Sequence, residues 1–238
     1  MSDINNFRSN LLLKCKKIGL VEFKDYCIEL IVGLEKRGKE YNQLRGELAE
    51  VLLEALLQDF CDILESQGIH ANLIKNLPLI KRSNGKLYSS EIDVCLLTEY
   101  RCYLFEVKSY KGKKTLTDEC LLHGYKDMNI YAQSKMHLDF FNECFGECRL
   151  KYTDRRELIT PFKLVFFEFS HHGVKDLRNN EWKDRVKLLT YENFYNFFID
   201  EYNNWKYPQW NLDKAMKTMI KLDKNRDMIM EYHIKRLT

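Results

Sequence analysis

Residues 1–68 carry apolar side chains at the three- and four-residue spacings that are typical of amphipathic helices. This spacing predicts helices over 7–18 and 23–36, followed by a longer helix over 41–67 that ends at Gly68. The apolar positions of the long helix form one stripe that we expect to face the core: Leu48, Leu52, Leu53, Leu56, Leu57, Phe60 and Leu64.

Beyond Gly68 the pattern changes to the short apolar runs and turns that are typical of strands. A strand over 77–82 and a turn at 83–85 precede two strands, over 91–98 and 101–109, which should pair as a hairpin. The elements that we predict after the hairpin are a helix over 127–145, strands over 162–169 and 185–190, and helices over 191–202 and 212–236. This order predicts an α/β fold in which helices cover a mixed sheet.

Composition favours a globular chain but leaves the activity open. Hydrophobic residues make up 45% of the 238 residues, and no run of about 18 apolar residues is present. We therefore expect a cytoplasmic protein without a signal peptide and without membrane contact. The net charge of +3 lies in residues 211–238, which hold 7 Lys and Arg against 4 Asp and Glu, so the remainder is neutral.

Charged side chains interrupt the two strands of the predicted hairpin. Strand alternation places Glu106 and Lys108 on one face of their strand, and Glu91 and Asp93 on one face of the preceding strand. The apolar residues are expected on the opposite faces: Phe105 and Val107, and Ile92, Val94 and Leu96. Charges on otherwise apolar strands are unfavourable unless they have a function, although a solvated face is the simpler alternative.

Asp93 and the segment from Glu106 to Lys108 suit metal-assisted hydrolysis of a phosphodiester. Carboxylates on neighbouring strands can hold a hard cation such as Mg²⁺ through oxygen ligands. Such a cation polarises the phosphate and lowers the pKa of a bound water. Lys108 shares the face of Glu106, so it can orient that water and offset the charge that develops on the phosphate.

Three motifs resemble those of known nucleases. Glu91-Ile-Asp-Val, followed by Phe105-Glu-Val-Lys-Ser109, resembles the PD-(D/E)XK nuclease superfamily. Gly46-Glu-Leu-Ala-Glu50 resembles the Gly-x-x-Gly-Glu helix motif of nuclease-related (NERD-type) domains, with Ala49 in place of the second glycine. An isolated Glu-x-Lys would be a weak signal, but these motifs occur in the order expected of the superfamily.

A further segment, Asn129-Ile-Tyr-Ala-Gln133-Ser-Lys-Met-His137, resembles the Asn-Pro-x-x-Gln segment of NERD-type domains. It also resembles the Gln-x-x-x-Tyr motif of RecB-type nucleases. Ile130 stands where a proline is often found, and His137 stands where RecB-type members have tyrosine. The resemblance extends over roughly residues 41–200.

The resemblance implies a restriction-endonuclease-like core, with a mixed central sheet flanked by helices, over 41–203. A helical N-terminal extension over 1–40 and a C-terminal helical extension over 204–238 would lie outside it. These terminal helices are candidate surfaces for a homodimer or for a partner subunit.

The resemblance also implies the active-site residues. Asp93, Glu106 and Glu50 would bind Mg²⁺ or Mn²⁺, Lys108 would assist the water and the transition state, and Gln133 would help to shape the site. For Gln133, an exposed side chain without a role is the alternative.

The position of Glu50 on the long helix supports its assignment. At about 100° per residue, Glu50 falls ~20° beyond Leu57 at the edge of the apolar stripe. Glu47 and Glu54 are expected further into the polar arc, although all three acids could simply solvate the helix.

A basic segment follows the Glu-x-Lys strand. Lys111, Lys113 and Lys114 are candidates for contacts with a nucleic-acid backbone, and a solvated loop is the alternative.

These motifs predict a divalent-metal-dependent DNA nuclease that acts in defence against foreign DNA or in repair and recombination. Two alternatives remain open: an inactive module that binds nucleic acid or protein on the same fold, and an RNA-cleaving enzyme. The intact Asp93 and Glu-x-Lys argue against the inactive module, because degenerate members of the superfamily typically lose one of them.

Overall fold

The computed structural model describes residues 2–33, 39–110, 113–123, 126–150, 162–167 and 174–237. Its N-terminal part is helical, as predicted, with α1 (Ser2–Ile18), α2 (Leu20–Gly33) and α3 (Lys39–Ser66). Residues 34–36 of the second predicted helix lie outside the described residues. Gly68 follows α3 with a φ of 77°, and its N–H donates to the Glu65 carbonyl at 2.9 Å, so the helix ends where the glycine predicts.

The strands of the described chain are β1 (Ala71–Ser83), β2 (Lys86–Thr98), β3 (Cys102–Lys108), β4 (Lys114–Leu116), β5 (Leu121–His123), β6 (Lys126–Met128), β7 (Phe162–Phe167), β8 (Val174–Asp176) and β9 (Val186–Leu189). The central sheet has the order β1-β2-β3-β7-β9. Its first three strands are antiparallel, whereas β3, β7 and β9 run parallel. The β2–β3 hairpin is thus confirmed.

The later helices are α4 (Ile130–Phe145), α5 (Asn180–Arg185), α6 (Phe194–Asn203), α7 (Leu212–Lys224) and α8 (Arg226–Leu237). Several predicted boundaries were wrong. The strand predicted over 77–82 begins at Ala71 as β1, and the helix predicted over 191–202 begins at Phe194 as α6. Residues 168–169 of the strand predicted over 162–169 lie outside the described residues. The helix predicted from residue 127 begins at Ile130, because the Asn129 side chain accepts the Ala132 N–H at 2.8 Å and caps it. The single helix predicted over 212–236 is two helices that meet at Asn225.

Helices cover both faces of the central sheet. On one face, Leu53 and Phe60 of α3 and Phe198 of α6 pack with Phe105 of β3. On the other face, α4, α7 and α8 enclose a second core with the opposite sides of β2 and β3. Every residue of the predicted α3 stripe is buried. The molecule is therefore an α/β fold with a mixed sheet flanked by helices, which confirms the predicted fold class.

The terminal segments share cores with this sheet. Leu11 of α1 and Phe23 of α2 pack against Leu48 and Leu52 of α3, and Trp210 and Met219 belong to the core beneath α4. The division at residues 40 and 203 stays a prediction. Within the described ranges, no helix combines the length and the apolar character needed to cross a bilayer.

Candidate active site

Side-chain alternation along β2 breaks at Asp93. Ile92 packs in the core beneath α4, whereas Val94 packs on the α3 face, so the prediction that they share a face was wrong. On the neighbouring strand, Asn76 sits between the paired residues Lys75 and Leu77 with a left-handed φ of 48°. The ladder is thus irregular on both strands at the position of Asp93.

Asp93 lies where β2 and β3 separate. The paired residues of the two strands extend from Leu97–Cys102 to Val94–Phe105. Beyond that pair, the Asp93 side chain replaces the backbone as the hydrogen-bond acceptor: its Oδ2 accepts the backbone N–H of Val107 at 2.7 Å. The carboxylate is thereby fixed beside the Glu106 segment.

Glu106 is the centre of a hydrogen-bonded group that joins β3 to α4. It is 8% exposed, and its Oε1 accepts from Lys108 Nζ and from Gln133 Nε2, the latter at 2.8 Å. Its Oε2 lies 3.4 Å from His137 Nδ1. This second oxygen is buried and accepts no hydrogen bond from the part of the chain that the structure describes.

The charges of the site act strongly on one another. Burial and then the nearby Glu106 carboxylate raise the pKa of Asp93 well above its usual value, and Glu50 adds to the effect. Burial works to lower the pKa of Lys108, but Glu106 outweighs it and the net shift is upward. Without a further cation, two adjacent carboxylates share one ammonium group.

These residues fit a divalent metal ion. Oε2 of Glu106 and the Asp93 carboxylate would offer hard oxygen ligands, and a cation would offset their mutual repulsion, which adds to burial in raising the pKa of Asp93. No group of three or more His, Cys, Asp or Glu among the described residues forms a ready-made metal cage. Mg²⁺ commonly uses one or two carboxylates and takes its other ligands from water and phosphate.

The acids of α3 contact basic residues from other elements. Arg8 Nη1 lies 2.9 Å from Oε2 of both Glu47 and Glu50. Burial raises the pKa of Glu50, although Arg8 opposes the shift. Glu54 was expected further into the polar arc but is 7% exposed, and Lys75 Nζ donates to it at 2.7 Å. A metal-binding role for Glu50 stays a prediction.

The basic segment differs from the predicted cluster. Lys113 is exposed and remains a candidate for phosphate contact, whereas Lys111 lies outside the described residues. Lys114 is 2% exposed, so its assignment to a surface that contacts phosphates was wrong. It lies in β4, where burial and then the charge of Arg45 lower its pKa to about 8.

Two residues near the site were not assigned from the sequence. His137 follows Gln133 by one helical turn, so its place beside Glu106 could have been inferred from that spacing. The sequence around Arg8 contains no motif that indicates its role, because its contact with Glu50 joins residues 42 positions apart.

The raised pKa of Asp93 predicts a pH-dependent stability for the metal-free protein. The folded chain binds a proton at Asp93 in the range between the ordinary carboxyl pKa and the raised value, where the unfolded chain has lost it. The free energy of unfolding should therefore fall as pH rises through this range. We expect Asp93→Asn to stabilise the protein at about pH 9, and by much less at about pH 5.

Urea denaturation in EDTA at the two pH values measures this difference. A gain of equal size at both values would contradict the prediction, because it could not come from the titration of Asp93.

Two acids and a lysine, held where neighbouring strands of a helix-flanked mixed sheet separate, define a nuclease-like arrangement. The chain matches the model of the family described as the nuclease-related domain (NERD) over residues 45–168, which is more than half of its 238 residues, and it belongs to that family. The resemblance to NERD-type domains of the PD-(D/E)XK superfamily is thus confirmed.

Other comparisons add little. No curated protein matches the chain. Among solved structures, the crystal structure of protein VC1899 from Vibrio cholerae is similar with a TM-score of 0.40 and 11% identity. The similarity covers 71% of this chain and only 36% of VC1899, and at this level it carries no argument about function.

Proposed function

We propose that this protein is a divalent-metal-dependent nuclease that hydrolyses phosphodiester bonds of DNA, in defence against foreign DNA or in DNA repair and recombination. Membership of the nuclease-related family supports a nucleic-acid substrate. The finer assignment, to a metal-dependent DNA hydrolase of the PD-(D/E)XK type, rests on the chemistry of the site.

Each residue of the site has a role in this proposal. Asp93 and Glu106 would hold Mg²⁺ or Mn²⁺, and Glu50 would complete or support their ligand set. Such a cation would polarise the scissile phosphate and lower the pKa of a water. Lys108, oriented by Glu106 Oε1, would donate hydrogen bonds to that water and to the phosphate oxygens. Gln133 would hold Glu106 in place from α4.

The surroundings of Glu106 carry the proposal. A buried carboxylate normally has both oxygens hydrogen-bonded, because an unsatisfied buried acceptor is unfavourable. Here Lys108 and Gln133 converge on one oxygen, whereas the other accepts no hydrogen bond from the described residues and has His137 Nδ1 3.4 Å away. A purely structural ion pair has no need of such an open oxygen, whereas a metal ligand does.

An incubation series tests the proposal. The full chain is mixed with supercoiled plasmid, linear duplex, single-stranded DNA and RNA, each with Mg²⁺, with Mn²⁺ or with EDTA. We expect cleavage of DNA that requires the metal. Cleavage of RNA alone would show that the assignment of DNA as the substrate is wrong. Metal-independent binding of nucleic acid without cleavage would support the inactive binding module.

A further inference from the structure

The acids of α3 are contacted by a basic residue from outside the family domain. Glu47, Glu50 and Glu54 follow one another at three- and four-residue spacings, so they share one face of the helix. Arg8 of α1 binds the first two at 2.9 Å each, and its Nη2 lies 3.9 Å from Glu54 Oε2. The match to the nuclease-related family begins only at residue 45.

The guanidinium of Arg8 is fixed by its surroundings. Its side chain is 12% exposed, and Leu11 and Cys15 of the same helix are buried against α3. A planar guanidinium holds carboxylates in a defined direction better than a flexible ammonium group does. Arg8 can therefore keep Glu50 in one orientation, rather than merely adding positive charge to the surface.

One oxygen of Glu50 is held by the arginine. Arg8 contacts Oε2 of Glu50 and offsets the repulsion from Glu47. Burial and then Glu106 raise the pKa of Asp93, and the charge of Glu50 adds to that shift, so Glu50 lies near the proposed metal site. Substitution of a residue that hydrogen-bonds to a metal ligand commonly lowers metal affinity by about 10- to 100-fold.

We propose that Arg8 is a positioning residue, which holds the carboxylate of Glu50 in one orientation for the metal and so makes α1 part of the metal site. This inference rests on the proposed function. If Arg8 positions Glu50, its removal should weaken metal binding. If Arg8 acted only as a positive charge that repels the metal, its removal would tighten metal binding.

Mn²⁺ binding by the full chain tests the direction of this effect. The affinity is measured without substrate, from the electron paramagnetic resonance of unbound Mn²⁺. We expect Arg8→Gln to weaken binding about tenfold. Lys24→Gln is the matched control, because it removes another ion pair between the N-terminal helices and the rest of the chain, with Glu192 at 3.4 Å. This control should bind Mn²⁺ as the wild type does, and thermal melting without metal checks that each variant is folded.

A double-mutant cycle separates positioning from a general structural effect. In a Glu50→Gln background, Arg8→Gln should cause no further loss of Mn²⁺ affinity, since the ligand that Arg8 positions is already absent. An additional tenfold loss in that background would overturn the proposal. If Arg8→Gln does not fold, Arg8→Lys decides the matter, because an ammonium keeps the charge but lacks the rigid plane that sets Nη1 beside Glu47 and Glu50 and Nη2 beside Glu54, and it should weaken binding.

The outcomes also distinguish this inference from the proposed function. Unchanged or tighter Mn²⁺ binding by a folded Arg8 variant, together with weaker binding by Asp93→Asn, would overturn the role of Arg8 alone. Equal binding by wild type and Asp93→Asn would overturn the metal site itself, and this inference with it.

Discussion

Replacement of Lys108 by alanine is expected to lower the rate of DNA cleavage at least ~100-fold. The Lys108 ammonium is 12% exposed and is held by Glu106, so it is oriented in a partly desolvated site where its charge acts strongly. Alanine removes the group that would orient the water and offset the charge on the phosphate. The rate should be measured at saturating Mg²⁺, so that a change in metal affinity does not obscure the effect.

Lys86→Ala is the matched control for Lys108. Lys86 is an exposed lysine at the turn between β1 and β2, so its removal changes the net charge equally without entering the site. We expect this variant to retain the wild-type rate. If wild type and Lys108→Ala behaved identically on every DNA and RNA substrate, the nuclease assignment would be wrong.

Replacement of Phe198 by alanine is expected to lower the free energy of unfolding by about 3–5 kcal/mol. The ring is completely buried and contacts Phe60 of α3, Tyr103 and Phe105 of β3, and Phe194 of its own helix. Alanine would leave a cavity where α6 meets the sheet. Denaturant unfolding, followed by circular dichroism, measures the loss.

The neighbouring residue on α6 provides the comparison. Ile199 is 54% exposed, so Ile199→Ala should change the stability by no more than about 0.5 kcal/mol. Equal effects of the two substitutions would mean that α6 does not pack on the sheet through Phe198.

The long helix α3 follows from a local pattern, and the short strands do not. The stripe of α3 and the stop at Gly68 identify that helix because they repeat over many turns. The strands β4, β5, β6 and β8 have three residues each, which is too short for alternation to be recognised. They gain their hydrogen bonds from one another, in a second sheet with the order β6-β5-β4-β8.

The site was predictable where it depends on neighbours along the chain. Glu106 and Lys108 share a face two residues apart, and the structure joins them as expected. The orientation of Asp93 was not predictable, because the alternation of β2 breaks where the ladder to another strand is interrupted, at the left-handed Asn76. Contacts that join distant segments, such as Arg8 with Glu50, leave no periodic trace in one sequence.

The irregularity at Asn76 also affects how the molecule avoids self-association. β1 is an edge strand of 13 residues, and a long, flat edge is a template on which another chain can add a strand. The left-handed Asn76 distorts this edge, Pro78 removes one N–H donor, and Lys75 places a charge beside them. The irregularity at the position of Asp93 is thus also expected to disfavour intermolecular β-pairing along β1.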